Sequence, residues 1–503
     1  MNTARGATRI AARAAWLVVF GVLATANSAG YRYGASDLAF YAPAIMRQLD
    51  PALFPRDATL LNVQADLTLA DETIAAIARL TRLDLPQLFF ALYAVTLGLL
   101  AIAALTIGAA LYRDSWSCIA LLAAVSLRHA VPRTGTNTLE GYFHPRQLAF
   151  ACGALAMAAF LTRPSPGRRY AAVIALLGAA AALHPTTTLW FVVALAVAVF
   201  VAEPRWRIAL TFAGAAAVPL AWWMAADGPL AGRFQVMDAE WTAALVEKGY
   251  LFPLRWPAGA WIVNVGLAVA VAAIWRVRRA SGRLVPRETA LVLGCASLLT
   301  VFAAALVLQT RGLALAVQLQ PARTFWLLDW LAIVYVVWLL VEGSGGPRRR
   351  RPAIAAGVLL ALAAARGVYI MNVEFPDRPL AQIDLRNDDW GRVMGWASEQ
   401  DRATAWLADP SHAAQHGTSV RVAARRDVFV EAFKDAALGM YDRRMAFRTR
   451  DRVAAVGDFT ALDEARAREL AAQHDLDFLV TESELRLPLM FEAGRLRVYR
   501  IGN

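Results

Sequence analysis

Long apolar runs alternate with short arginine-rich connections through the first 371 residues, and the remainder of the chain has a different rhythm. The runs fall at roughly 12–29, 87–111, 115–130, 144–162, 170–184, 186–202, 207–226, 257–276, 288–308, 321–341 and 352–371. A helix needs about 20 apolar residues to cross a bilayer, so the pattern predicts about eleven transmembrane spans, the third and fifth of them short. After the first run comes "YGASDLAFYAPAIMRQLDPALFPRD". Leu38, Tyr41, Ile45 and Leu49 share one helical stripe there, while Asp37, Arg47, Asp50 and Asp57 fall off it. This predicts an amphipathic surface helix, capped by Ser36 or Asp37 and ended at Asp50-Pro51. Thr68 and Asp71 read as a capping pair that opens a second helix, from about Asp71 to Leu83. From Phe375, β-type runs ("ATAWLA", "DVFVEAF", "DFLVTES", "RLRVYRI") alternate with helical patterns ("DDWGRVMGWASEQ", "ALDEARARELAAQHD"). The expected fold is an all-α polytopic membrane domain over 1–371, with an outer loop at 30–86, and a small α/β domain over 372–503.

Composition agrees with a membrane protein. Of 503 residues, 58% are apolar, and the mean hydropathy of +0.44 exceeds that of soluble domains. The net charge of +12 is almost all arginine, with Lys248 and Lys434 the only lysines. Richness in alanine and arginine points to a bacterial source. The basic residues cluster between the runs, so they speak for topology and not for nucleic acid. With the N-terminus inside, the inner connections hold Arg5, Arg9, Arg13, Arg113, Arg163, Arg168, Arg169, Arg205, Arg207, Arg276 to Arg287 and Arg348 to Arg351. Loops 30–86, 131–143, 227–256 and 309–320, the His184-Pro185 corner and the tail then face outward. The N-terminal run followed by "ATANSAG" has features of a signal peptide; we read it as an uncleaved first helix. Cys118, Cys152 and Cys295 each sit in an apolar run and match no metal or disulfide pattern.

The outward polar residues form four groups. Asp37 stands just past the first span, either as an N-cap or as a base for an acceptor hydroxyl. The stretch 127–150 gathers Arg128, His129, Arg133, Glu140, His144 and Arg146, a phosphate cradle or a solvated loop. His129, Glu140 and His144 could also ligate a metal, but their spacing fits no strong motif. His184-Pro185 reads as a helix corner before it reads as catalytic. The stretch 309–323 presents Arg311, Gln318, Gln320 and Arg323. Inside the tenth span, Asp329 needs a partner, and Arg366, at similar depth in the eleventh, is the expected one.

These features resemble the GT-C superfamily of integral-membrane glycosyltransferases. The likeness rests on "SDLAFYAPAIMRQLDPALFPRD", "FHPRQLAFACGALAM" and "LHPTTTLWF". In the tail, "SVRVAARRDVFVEAFKD" and "LDFLVTESELRLP" look like a group of bacterial membrane proteins of the same plan. The resemblance implies an outward-facing enzyme of the bacterial cytoplasmic membrane. Its donor would be a polyprenyl-phosphate sugar and its acceptor a lipid or glycan. Asp37 would be the catalytic acid, and Arg128, Arg133, Arg146, Arg311 and Arg323 would bind the donor phosphate. Asp57, Glu140, His144, His184 and Gln320 would support them. No cofactor is implied, and no motif indicates a divalent cation. Many members carry two adjacent acids in the first loop, whereas Asp37 here precedes Leu38, leaving a second-acid role to Asp57 or Asp66. Two other classes stay open: a non-catalytic scaffold of the same architecture, and a lipid or solute transporter. No repeat relates the two halves, which counts against the commonest transporter plans.

Overall fold

The computed structural model describes residues 2–502, except His129, Pro164, Pro229, Leu230, Gly232 and 344–350; the side chains of residues 2–10, 12, 13 and 225 also lie outside the description. The described chain is mostly helical, with one five-stranded sheet near its C-terminal end. It divides into two compact units. The first comprises 1–31, 91–236 and 249–381; the second comprises 32–90, 237–248 and 382–503.

Among the described residues, seven helices are long and apolar enough to cross a membrane: Leu85–Leu111, Pro185–Ala202, Pro204–Met224, Ala258–Ala280, Glu288–Thr310, Ala314–Glu342 and Arg351–Glu374. Seven is the count that length and hydropathy support. The first and third runs give the shorter apolar helices Ala14–Asn27 and Ser115–Ser126. The fourth and fifth give Pro145–Thr162 and Pro166–Leu183, which carry arginines among their apolar residues. Within the first unit, Thr324–Glu342 is apolar around its circumference apart from Asp329 and is buried along most of its length, as a central helix must be. It packs on Ala258–Ala280, and Trp326 stacks on Phe150 at 3.9 Å.

Two charges in this unit depart from expectation. Arg278, counted above with the inner connections, is fully buried. Its Nε and Nη2 donate to Glu288 at 2.6 and 3.0 Å, and the Tyr335 hydroxyl donates to the same carboxylate at 2.9 Å. Arg366 does not take up Asp329. It donates to the carbonyl and side-chain oxygens of Asn27, at 3.1 and 2.8 Å, where the first helix ends. The arginines at 348–350 lie outside the described residues.

In the second unit the first loop forms three helices, Leu38–Leu49, Ala58–Ala65 and Ala70–Thr81, where two were expected. The first is not a surface helix. Leu38 to Met46 are all buried, because Ala39, Ala42 and Ala44 make the presumed outer side small and apolar. Helices Ala58–Ala65, Ala70–Thr81 and Val420–Ala423 pack around it. The sheet contains β1 (Ala405–Leu407), β2 (Asp427–Val428), β3 (Phe478–Thr481), β4 (Leu489–Ala493) and β5 (Leu496–Arg500), in the order β2-β1-β3-β5-β4. β1 runs parallel to β2 and β3, while β5 runs antiparallel to β3 and β4. Side chains alternate between the two faces. Trp406 and Val480 meet Trp390, Val393 and Val420 on one. Leu407 and Leu479 meet Val456, Leu470 and Ala471 on the other.

Candidate functional site

The sequence around Asp37 builds an unusual helix start. An N-cap residue normally has extended backbone, but Asp37 already has helical angles (φ −69°, ψ −9°) and its side chain makes no capping hydrogen bond. The turn is made one residue earlier, where Ser36 takes a left-handed conformation at φ 56°. A non-glycine residue held there costs about 1–3 kcal/mol. The Asp37 carboxylate instead receives Lys434 Nζ at 2.6 Å, and the same ammonium donates to Ser36 Oγ at 3.0 Å.

Lys434 sits in helix Ala432–Leu438, just after β2. Its neighbour Phe433 carries the second lysine as well. Lys248 Nζ lies 4.0 Å from the Phe433 ring centre and donates to the Phe433 carbonyl at 2.6 Å. The only two lysines of the chain thus meet at one phenylalanine. Burial, reinforced by the Lys434 charge, brings the Lys248 amine down to about 8. Burial, with Asp435 nearby, pushes the Glu431 carboxyl up to about 8. A cleft of about 210 Å³ opens beside this group, lined by Arg32, Ser36, Gly417, Glu431, Phe433 and Lys434. It offers two cations, a neutral acid and a hydroxyl; the Asp37 carboxylate does not line it but is paired with Lys434, which does.

Asp57 is buried in a different network of the same unit. Arg421 donates to it at 2.7 Å and Arg448 at 2.5 Å, and Arg421 also grips Asp435 with two bonds, at 2.7 and 3.0 Å. Burial works against the charge on Asp57, but the two arginines win and hold its carboxyl below the usual range. This ties the first loop to the tail and leaves Asp57 no access to a substrate. Asp66 is exposed at the end of helix Ala58–Ala65.

The remaining expected residues belong to the first unit. Glu140 and Arg146 are both buried and pair at 3.0 Å. His144 caps helix Pro145–Thr162 by accepting from Arg146 N at 3.0 Å. His184 caps helix Pro185–Ala202 in the same way, through Thr187 N at 3.2 Å. Each His-Pro pair is therefore a helix start, with proline where its missing N–H does no harm. The two rings lie 6.4 Å apart, and Arg323, His144 and Arg146 are within electrostatic reach of His184. Gln320 is buried in a left-handed turn just before Arg323. Arg128, Arg133 and Arg311 are exposed. The five arginines thus separate into a buried pair and three at the surface. His129 lies outside the described residues.

Lys434, Lys248, Glu431 and Arg421 were not singled out by sequence. One signal was available: a chain this rich in arginine keeps lysine at only two positions. Neither family models nor curated proteins give a match to this chain.

Proposed function

We propose that the chain is a membrane glycosyltransferase that moves a sugar from a polyprenyl-phosphate donor to a hydroxyl acceptor, with Asp37 as general base. The observation that carries this reading is the freedom of Asp37 from a capping role, with its carboxylate ion-paired to Lys434 beside an open cleft. An ion-paired carboxylate is in the form that accepts a proton. As the acceptor oxygen bonds to the sugar carbon, its proton passes to Asp37. The sugar–phosphate bond breaks and the lipid phosphate leaves with the electron pair. That phosphate needs cations. Arg32 and Lys434, which line the cleft, are the candidates. Seven apolar helices accord with a lipid-linked donor.

The test is transfer from radiolabelled polyprenyl-phosphate sugars in membranes that contain the wild type or Asp37→Asn. Loss of a general base typically lowers rate by about 10²–10⁴, and the variant should remain inserted and folded. Wild-type turnover in Asp37→Asn would remove Asp37 from the mechanism and leave the Asp37–Lys434 pair a structural tie; no transfer by the wild type with any such donor would favour the scaffold reading. Arg32→Gln should raise KM for the donor more than it lowers kcat.

A further inference from the structure

A second crevice of the tail domain has no part in the chemistry above. The chain leaves β1 for β2 past Val420–Ala423, on one face of the sheet. It returns from β2 to β3 past Arg443–Val456 and Glu464–His474, on the opposite face. These two connections leave the C-terminal ends of β1 and β2, while the end of β3 runs on into the antiparallel pair β4 and β5; with strand order β2-β1-β3, the loops after β1 and β3 lie side by side at the C-terminal edge of the parallel strands. In open α/β sheets, ligands bind in the crevice outside the carboxyl ends of the strands.

A cavity of about 350 Å³ lies there. The end of β1 supplies Asp409, the end of β3 supplies Thr481, Glu482 and Ser483, and Phe459 and Leu496 are among its apolar walls. The volume is at the small end of ligand pockets. No lysine or arginine lines it. Burial opposes the charge on Asp409, but hydrogen bonds from Ser411 and Gln415 hold its carboxyl below the usual range. Glu482 has exposed Arg495 at 3.8 Å outside the lining; within the lining two carboxylates face no lysine or arginine, which disfavours phosphate and other anions. His412 is committed to the scaffold: its Nδ1 lies 2.8 Å from the Asp409 carbonyl, and its Nε2 accepts from Val420 N. His416 is stacked on Trp390 at 4.3 Å. What is left for a ligand is a rim of carboxylate, amide and hydroxyl groups above an apolar wall.

We propose that this crevice binds an uncharged saccharide of one or two rings, its hydroxyls held by Asp409, Gln415, Thr481 and Glu482 and its carbon face by Phe459 and Leu496. Sugar hydroxyls both donate and accept, which suits this mixture of groups. The choice of a sugar over another polyol rests on the glycosyl-transfer reading, since the acceptor or product would be such a molecule.

The full-length protein in detergent would be titrated with methyl hexosides, methyl N-acetylhexosaminides and maltose, by saturation-transfer difference NMR. Inorganic phosphate and ethylammonium serve as charged probes. At least one saccharide should bind and neither charged probe should. Thr460→Trp, at the exposed rim, should weaken that saccharide at least about tenfold; Ser483→Phe provides a second plug if the first misfolds. Glu482→Gln keeps the hydrogen-bonding atoms and should change affinity less than about threefold. Failure of every saccharide to bind, or binding that survives a folded plug variant, overturns the proposal. So does ethylammonium binding that is lost in Glu482→Gln, which would make this a cation site. Because the titration needs no turnover, an absence of transferase activity would sink the glycosyl-transfer reading and leave this result to stand by itself.

Discussion

Glu431 and Lys248 give the site a measurable signature at the scale of single residues. Glu431 keeps its proton up to about pH 8 in the folded chain, against an ordinary value of 4.5. Between these limits the folded state binds the extra proton, so stability falls as pH rises through the window. Lys248 behaves in the opposite sense. It releases its proton near 8 when folded and at 10.5 otherwise, so its contribution to stability rises between about pH 8 and 10.5. Subtracting the melting curve of Glu431→Gln from that of the wild type should expose the lower limb, and Lys248→Met the upper one. Together they place a minimum near pH 8; flat difference curves would show that neither group is shifted. The position of Asp37 was legible in the sequence because it follows the first apolar run. Its partner was not, because Lys434 lies 397 positions away and only folding joins them.

At the scale of elements, buried ion pairs hold the segments in register. Arg421 is fully buried between Asp57 and Asp435. Arg421→Met would leave two acids without their main cation, a loss of about 3–5 kcal/mol. Arg421→Lys should recover little, since one ammonium cannot reproduce a planar fork. Chemical unfolding of the purified variants checks both statements. The same reasoning applies to Arg278 and Glu288, which join helices Ala258–Ala280 and Glu288–Thr310. Glu288→Gln should lower the melting temperature more than a change at exposed Arg279. Periodicity located the regular parts well. The four β-type runs of the tail contain β1, β2, β3 and β5, and the two helical patterns became Asp389–Glu399 and Glu464–His474. It failed where a run changes type. "DVFVEAF" is strand only at Asp427–Val428 and becomes helix from Ala432, which is how Glu431 and Lys434 reach the cleft. β4 was missed because "LMFEA" has exposed apolar residues and little alternation. The helix Leu38–Leu49 was placed correctly and its surroundings were not, since alanines on the outer stripe say nothing about what covers them.

At the scale of the whole molecule, the arginine distribution predicts a cytoplasmic N-terminus and an exported tail. Reporter fusions after residue 371 should be active outside the cytoplasm, and a cytoplasmic signal would reverse every outward assignment. The second unit is built from segments 32–90, 237–248 and 382–503. Asp57 and Arg421 are separated by 364 positions along the chain. At about 5–20 residues per second, synthesis leaves the first loop waiting roughly 20–70 s for its partner. During that interval its three helices have no tail to bury them, and Asp57 has no cation. A chain truncated at 381 should therefore lose residues 32–90 to an added protease that the full chain resists; equal resistance would show that the loop folds alone. Biogenesis of such a protein depends on shielding an early, half-made domain until the ribosome has nearly finished, and the nascent loop becomes a natural client for a chaperone on that side of the membrane.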